Sequence, residues 1–311
     1  AMPKLKRGME LVLLGGNYGH EILITEDGII ISSEGDEQVI APLRIKSKSC
    51  IVRNYYGSSI HTDNDLIIVN SVFIGVRLSA EKKKKTTVSI YNSAFTSLMD
   101  SGMDASFVYY GNDAEGEFRI RNCNMVGGSY ETLVRCYPPI PVSIENSILF
   151  SGAYVFKMSS YQKEKAKLTL KDNIMFGKNG IGVSNSGKNQ DAPIYDPKEL
   201  KKIGSVTLYG KNDVVQLKFE GGIDRFSPFS GSNLSENILK FIPKNPEAEG
   251  KGVIADKNPF FKKALENPPP SEEKSKQQIL PLRKKRSNSQ KNTEGTPALP
   301  TDEIKKEDVF E

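Results

Sequence analysis

Short runs of alternating apolar and polar residues recur along most of the chain. Five of them align without gaps and share one form: apolar, any, apolar, any, Asn or Asp, small, any, apolar. The shared polar position is held, in order, by Asn70, Asn92, Asn122, Asn146 and Asp172. Because alternation with a period of two is typical of strands, and no comparable helical period intervenes, the pattern predicts an all-β fold.

The spacing of the repeat predicts a solenoid. The five polar positions lie 22, 30, 24 and 26 residues apart, and a second short strand precedes each copy. A unit of this length matches one coil of a parallel β-helix, whereas propeller blades need about 40 residues. The linker between the two strands varies in length, as expected if insertions lie outside the stacked coils. Related copies at Asn54 and Gly210 extend the array.

The repeated Asn has two interpretations. It could form a row of ligand-binding groups, or it could form a structural ladder at the corner of each coil. Asn tolerates the left-handed backbone conformation that a tight corner needs, and stacked amides can hydrogen-bond to one another. We favour the structural ladder.

The chain divides into four predicted parts. These are the first coils of the β-helix at residues 1–48, regular coils at 49–215, a C-terminal cap at 216–266 and a disordered tail or linker at 267–311. Short helices are expected after Asp196 and Asn258, each of which precedes a proline. A set of phenylalanines is expected to plug the open end of the last coil: Phe219, Phe226, Phe229, Phe241, Phe260 and Phe261.

The tail holds few apolar residues, so it buries too little surface to offset the entropy of ordering its backbone. Its basic cluster consists of Arg283, Lys284, Lys285 and Arg286. Such a cluster can serve nuclear import or nucleic-acid binding, but a solvated charge run is the more common case. We therefore expect no nucleic-acid partner.

The Asn-Ser corners and the opening segment Lys6–Ile24 resemble the right-handed parallel β-helix proteins of the pectate-lyase-like superfamily. The resemblance covers about residues 6–215 and implies a single right-handed parallel β-helix. That fold carries lyases, hydrolases, esterases and inert binding modules, so it leaves the activity open. A capping helix normally precedes the first coil in this superfamily. We therefore expect the chain to be covalently linked to a further N-terminal domain, and to be secreted or at the cell surface if a signal precedes it.

Outward positions on the second strand of each unit form a predicted column with four potential cations. Like charges one strand spacing apart repel unless an anion lies between them, so the column predicts a groove for an extended acidic polysaccharide. The alternative is that loop carboxylates neutralise these side chains. The column consists of His61, Arg77, Tyr109, Arg135 and Lys157.

Composition narrows the candidate chemistry. The 311 residues carry a net charge of +5, three cysteines and two histidines, which argues against a disulfide scaffold and a zinc–histidine site. No apolar run reaches the roughly 18 residues of a membrane helix, so no membrane insertion is expected. Calcium is expected only if the protein is an enzyme. In that case the resemblance to pectate lyases implies that Asp100, Asp104 and Asp113 supply carboxylate ligands to the calcium ion.

The sequence thus favours a non-catalytic binding or scaffold domain for acidic polysaccharide, with no cofactor. The alternative is a polysaccharide lyase or glycoside hydrolase that uses the loop carboxylates and calcium. The motif Arg44-Ile45-Lys46 occurs in polygalacturonase-like enzymes, but here it stands before the positions of the other motifs, which are missing. A third option is a spacer without a ligand.

Overall fold

Parallel strands stack in three rows, which form the faces of a β-helix; the third row is divided into a five-stranded and a three-stranded sheet. The computed structural model describes residues 5–78, 85–96, 108–109, 115–127, 132–136, 140–161, 164–184, 192–219, 238 and 241–267. All of them lie within the compact unit Ala1–Pro269. The predicted tail and its basic cluster lie outside the described residues. The all-β parallel β-helix is confirmed.

Face 1 contains the strands that precede the repeated Asn. Each strand pairs in parallel with the one above and the one below, and the inward residues match in register from coil to coil. Two long strands at the N-terminal end, Glu10–Asn17 and Ile29–Ile40, run through face 1 and continue into face 2. The remaining strands of face 1 are Ser49–Arg53, Asp65–Val69, Lys85–Tyr91, Glu115–Arg121, Val142–Glu145, Lys167–Lys171 and Ser205–Tyr209.

Face 2 follows the Asn corner, and face 3 completes the coil. The strands of face 2 are Tyr56–Gly57, Val72–Phe73, Ala94–Thr96, Asn124–Val126, Ile148–Ser151, Ile174–Gly177 and Asp213–Val214. The strands of face 3 are Ile22–Ile24, Leu43–Ile45, Ile60–Thr62, Val76–Leu78, Val108–Tyr109, Val134–Cys136, Tyr154–Met158 and Gly180–Ser184. A small antiparallel pair, Ser160–Tyr161 with Glu164–Lys165, lies in the loop after face 3.

The corner between faces 1 and 2 is a single residue in the left-handed conformation. Its φ angle lies between 46° and 55° at every Asn or Asp of the repeat and is 58° at Gly210. Two amide–amide bonds connect the corner residues of neighbouring coils: Asn92 Nδ2 donates to Asn70 Oδ1 at 2.7 Å, and Asn146 Nδ2 donates to Asn122 Oδ1 at 2.8 Å. The corner residues are Asn54, Asn70, Asn92, Asn122, Asn146 and Asp172.

The interior of the coils is a continuous apolar column. One of its rows lies on face 1, where each side chain is at most 1% exposed and sits directly over its counterpart in the next coil. This row consists of Ile68, Ile90, Ile120, Ile144 and Leu170. Stacking at about 4.8 Å per coil leaves these side chains no access to water, so their burial stabilises the stack of coils.

A short 3₁₀ helix, Pro197–Lys202, packs at the last coils of the solenoid. Asp196 Oδ1 accepts a hydrogen bond from the Lys198 N–H at 2.8 Å, as the sequence predicts for this helix start. The buried Leu200 side chain joins the interior core beside Gly182. A Cβ on that glycine would lie 2.4 Å from Leu200 Cδ2, so any larger residue there would force the Leu200 side chain to shift.

The C-terminal segment 241–267, called the strap below, runs along the outside of face 2. It begins its α-helix, Pro259–Glu266, at Asn258, whose side chain accepts hydrogen bonds from Phe260 N and Phe261 N. The helix reaches the first coils, where Lys263 pairs with Asp36.

The phenylalanines that the structure describes do not lie over the end of the last coil, where the sequence predicted them. Phe219, Phe241, Phe260 and Phe261 belong to a second apolar cluster on the outside of face 2, not to a plug over the coil end. Face 2 presents an outward apolar row that water would otherwise reach, and burying it explains the location of the aromatic groups. Phe226 and Phe229 lie outside the described residues. The outward row consists of Tyr56, Val72, Ala94, Val126, Ile148, Phe150 and Ile174.

Candidate ligand-binding face

Face 3 brings the predicted column residues into register. Arg77 pairs with His61 on one side and with Tyr109 on the other, in three successive parallel strands. Arg135 pairs with Lys157 in the same way in the upper coils. Neighbouring positions in such strands lie about 4.8 Å apart. His61, Arg77 and Tyr109 therefore form one line along the solenoid axis, and Arg135 and Lys157 continue face 3 in a separate sheet.

The alternation within each strand fixes which side chains face outward. Ile60, Val76 and Val134 are fully buried, as are Leu78 and Cys136 two positions later. The residues between them, at positions 61, 77 and 135, are half-buried on the outer surface. The side chain of Tyr109 lies outside what the structure describes, and its backbone alone is placed in the column.

Carboxylates neutralise the lower end of the column. Arg44, which pairs with His61 in the next coil down, bonds through Nη2 to both oxygens of Asp63 at 3.0 and 3.1 Å. His61 Nδ1 lies 4.0 Å from Glu21 Oε2. The alternative in which loop carboxylates neutralise the column therefore applies to the coils that carry Arg44 and His61.

The upper part of the column is formed by Arg77, Arg135 and Lys157. The Nε atoms of both arginines are buried, so this part of each guanidinium is held against the sheet. A side chain held in this way loses less conformational freedom on binding than an extended one. Three cationic side chains therefore line one side of the solenoid above the coil of His61.

The other two faces present different surfaces. The strap covers face 2, which removes its apolar row from solvent. On face 1 the basic side chains are matched by acidic neighbours: Arg119 contacts Glu117 at 2.6 Å, and Glu145 lies between Arg121 and Lys171 at 3.8 and 2.8 Å. On face 3, Arg44, His61 and Arg77 are in register in one sheet, and Arg135 and Lys157 are in register in another.

Two features of the described residues bear on catalysis. Burial raises the pKa of Cys50, Cys123 and Cys136 to about 12, so the reactive thiolate is scarce at neutral pH. Within the described ranges no group of three or more His, Cys, Asp or Glu residues is arranged to hold a metal ion. Asp100, Asp104 and Asp113, the carboxylates of the calcium alternative, lie outside those ranges.

Two residues outside the predicted column also matter. Arg44 continues the column one coil further down, and its strand Leu43-Arg44-Ile45 shows the same alternation, so that signal was present. Asn124 stands in the apolar outward row of face 2 and bonds to two parts of the strap, Phe241 O and Val253 N. No sequence signal links Asn124 to partners more than a hundred residues away.

Comparison with known proteins returned no match, whether against protein-family models, curated proteins or solved structures. In the part of the chain that the structure describes, no helix has both the length and the apolar character needed to cross a membrane.

Proposed function

We propose that this chain is a non-catalytic binding domain that recognises an extended acidic polysaccharide along face 3. The registers Arg77–His61 and Arg135–Lys157 carry the proposal, because each brings two basic residues that are far apart in sequence next to each other on face 3. A polymer with one carboxylate in each sugar unit offers negative charges at regular intervals along its length. Such a ligand can engage several coils at once, so weak contacts add up to useful affinity.

Two observations favour face 3 over the other faces. The strap occupies face 2, and ion pairs with neighbouring carboxylates match the basic groups of face 1. We place the binding region on the coils from Arg77 to Lys157, because they carry the arginine and lysine members of the column.

We also propose that the β-helix is of the pectate-lyase-like type. The one-residue Asn corner with φ near 50°, followed by Ser and an apolar strand, supports this at Asn70, Asn92 and Asn146. Members of that superfamily bind polysaccharides, which is consistent with the ligand class that the charges favour.

The binding proposal is tested with the double variant Arg77→Ala/Arg135→Ala and a polyuronate. Loss of a charge-assisted contact costs about 1.5 kcal/mol, so the two substitutions together should weaken binding by roughly a hundredfold. Binding by the unaltered protein should also fall as salt is raised, because the contacts are ionic. Unchanged affinity in the double variant would refute the proposal.

The matched control is Arg119→Ala/Arg121→Ala. It removes the same two charges from face 1, where the side chains are 56% and 57% exposed, and should leave binding within about twofold. Equal losses in both double variants would mean that net charge, not face 3, attracts the polymer. Release of unsaturated or reducing-end products from the polyuronate in the presence of calcium would instead support the enzymatic alternative.

A further inference from the structure

The first long strand, Glu10–Asn17, forms an edge of the solenoid. It pairs in parallel with Ile29–Ile40, and no other described strand pairs with it. Ile30 N donates to Met9 O at 3.0 Å, which directs the backbone groups of odd-numbered residues toward the neighbouring strand. The N–H and C=O groups of Glu10, Val12 and Leu14 therefore point away from it. The hydroxyl of Tyr18, which bonds to Leu14 O at 2.8 Å, agrees with that direction.

Apolar side chains accompany this open edge. Val12 is 46% exposed, Leu14 62% and Met9 46%, while Leu13 faces the core at 5%. An edge strand of a monomer is normally protected by charges, prolines or a bulge within the strand. Here the bulge between Leu14 and Gly16 comes after the exposed stretch, so residues 10–14 stay regular. This edge has the character of an interface.

The charges along the edge favour pairing of this strand with the same strand of a second copy of the chain. Lys6 and Arg7 are exposed before the strand begins. Glu34 and Glu37 are exposed on the neighbouring strand beside its far end. An antiparallel pair of identical edges places the basic end of each copy against the acidic end of the other, whereas a parallel pair places like charges together.

We propose that residues Glu10–Leu14 of two chains pair antiparallel about a two-fold axis at Val12. Val12 then lies opposite Val12 of the second copy, and Glu10 opposite Leu14. The Val12 N–H and C=O groups of the two copies bond to each other, and the Leu14 N–H donates to Glu10 O of the other copy. Leu14 O, which already accepts from the Tyr18 hydroxyl, accepts the Glu10 N–H through its second lone pair. The half-buried Leu11 of each chain lies opposite Leu13 of the other. Such an interface uses the same patch on both subunits, so it closes as a dimer. Face 3 stays open on both subunits.

The first test measures the mass of the full chain by sedimentation or light scattering through a dilution series. The proposal predicts a species of twice 34.4 kDa that dissociates on dilution. In Val12→Lys/Leu14→Lys the dissociation constant should rise at least tenfold. The control Ile51→Lys/Ile67→Lys changes two residues of face 1 that are 38% and 42% exposed and should remain dimeric. A monomer at every dilution, or equal behaviour of the two variants, overturns the proposal.

The second test fixes the register. In Val12→Cys the two introduced thiols lie opposite each other at the two-fold axis, so mild oxidation should give a covalent dimer within the native species. Ile67→Cys, on the same face but away from the edge, should give none. The native cysteines at 50, 123 and 136 are buried and do not compete. Cross-linking through Ile67→Cys but not through Val12→Cys overturns the proposed pairing.

Discussion

The side chain of Asn92 accepts a hydrogen bond from the backbone N–H of Ile254 at 2.6 Å, across 162 positions of the sequence. The same amide donates to Asn70 Oδ1 at 2.7 Å in the coil below. Asn258 Nδ2 completes the connection by donating to Asn92 O at 2.9 Å. One corner residue thus links two coils and fastens the strap to them.

Replacing this amide should loosen both contacts. Asn92→Gly keeps the positive φ of 48° but removes the buried side-chain bonds, and it should lower the free energy of unfolding by about 2–3 kcal/mol. Asn54→Gly is the control, because Asn54 has the same φ and an exposed side chain. The added unfolded-state entropy of glycine is common to both variants. Urea unfolding measures the difference, and equal losses would contradict the role of Asn92.

Gly252 tests how closely the strap lies against face 2. A Cβ at this position would come within 1.8 Å of Asn124 Oδ1 and 2.9 Å of Ile148 Cδ1. Gly252→Ala should therefore displace the strap, seen as faster hydrogen exchange over residues 250–266. Gly250→Ala adds the same methyl group at a nearly equal φ, 74° against 75°, with no atom within 4 Å. This control carries the backbone strain of about 1–2 kcal/mol but no clash. Similar exchange in both variants would contradict close packing of the strap.

Alkaline pH should destabilise the protein through its buried acids. Burial raises the pKa of Cys136 to about 12 from an ordinary value of 9.0, and desolvation does the same for Tyr56. The folded state then retains protons that the unfolded state releases. The stabilisation is complete below about pH 9 and is lost as pH rises toward 12. Urea midpoints should fall over that range.

Cys136→Ala gives the matched comparison for this pH dependence. It leaves a small cavity whose cost is the same at every pH, but it removes one retained proton. The alkaline decline should therefore be shallower in the variant than in the unaltered protein. A parallel decline would show that this thiol does not contribute.

Releasing Arg44 should lengthen the binding column. In Asp63→Asn the guanidinium of Arg44 loses its ionic partner at 3.0 Å and becomes available to a polyanion. Affinity for a polyuronate should rise about threefold, with a steeper dependence on salt. Asp65→Asn makes the same change of charge on face 1 and should have little effect on affinity. A fall in affinity in Asp63→Asn would mean that the ion pair shapes the site instead of competing with the ligand.

The repeated pattern was sufficient to predict the coils, because every coil reuses the same inward positions and the same corner. Ile90 and Ile120 must lie over each other once Asn92 and Asn122 share a corner. The placement of Arg77 beside His61 follows from the same register.

The path of the strap could not be predicted in this way. Its phenylalanines do not repeat, so nothing in the sequence sets their register against face 2. Its polar contacts, such as Asn124 with Val253, join segments that show no common pattern. The neutralisation of Arg44 by Asp63 also depends on a side-chain conformation that alternation alone does not determine.

Calorimetric titration with uronate oligomers of increasing length tests the central claim most directly. The coils from Arg77 to Lys157 rise by about 14 Å at the spacing of parallel strands. Affinity should increase with each added sugar until the oligomer covers that span and should then level off. Equal affinity for the shortest and longest oligomers, or no binding of either, would contradict a ligand extended over stacked coils.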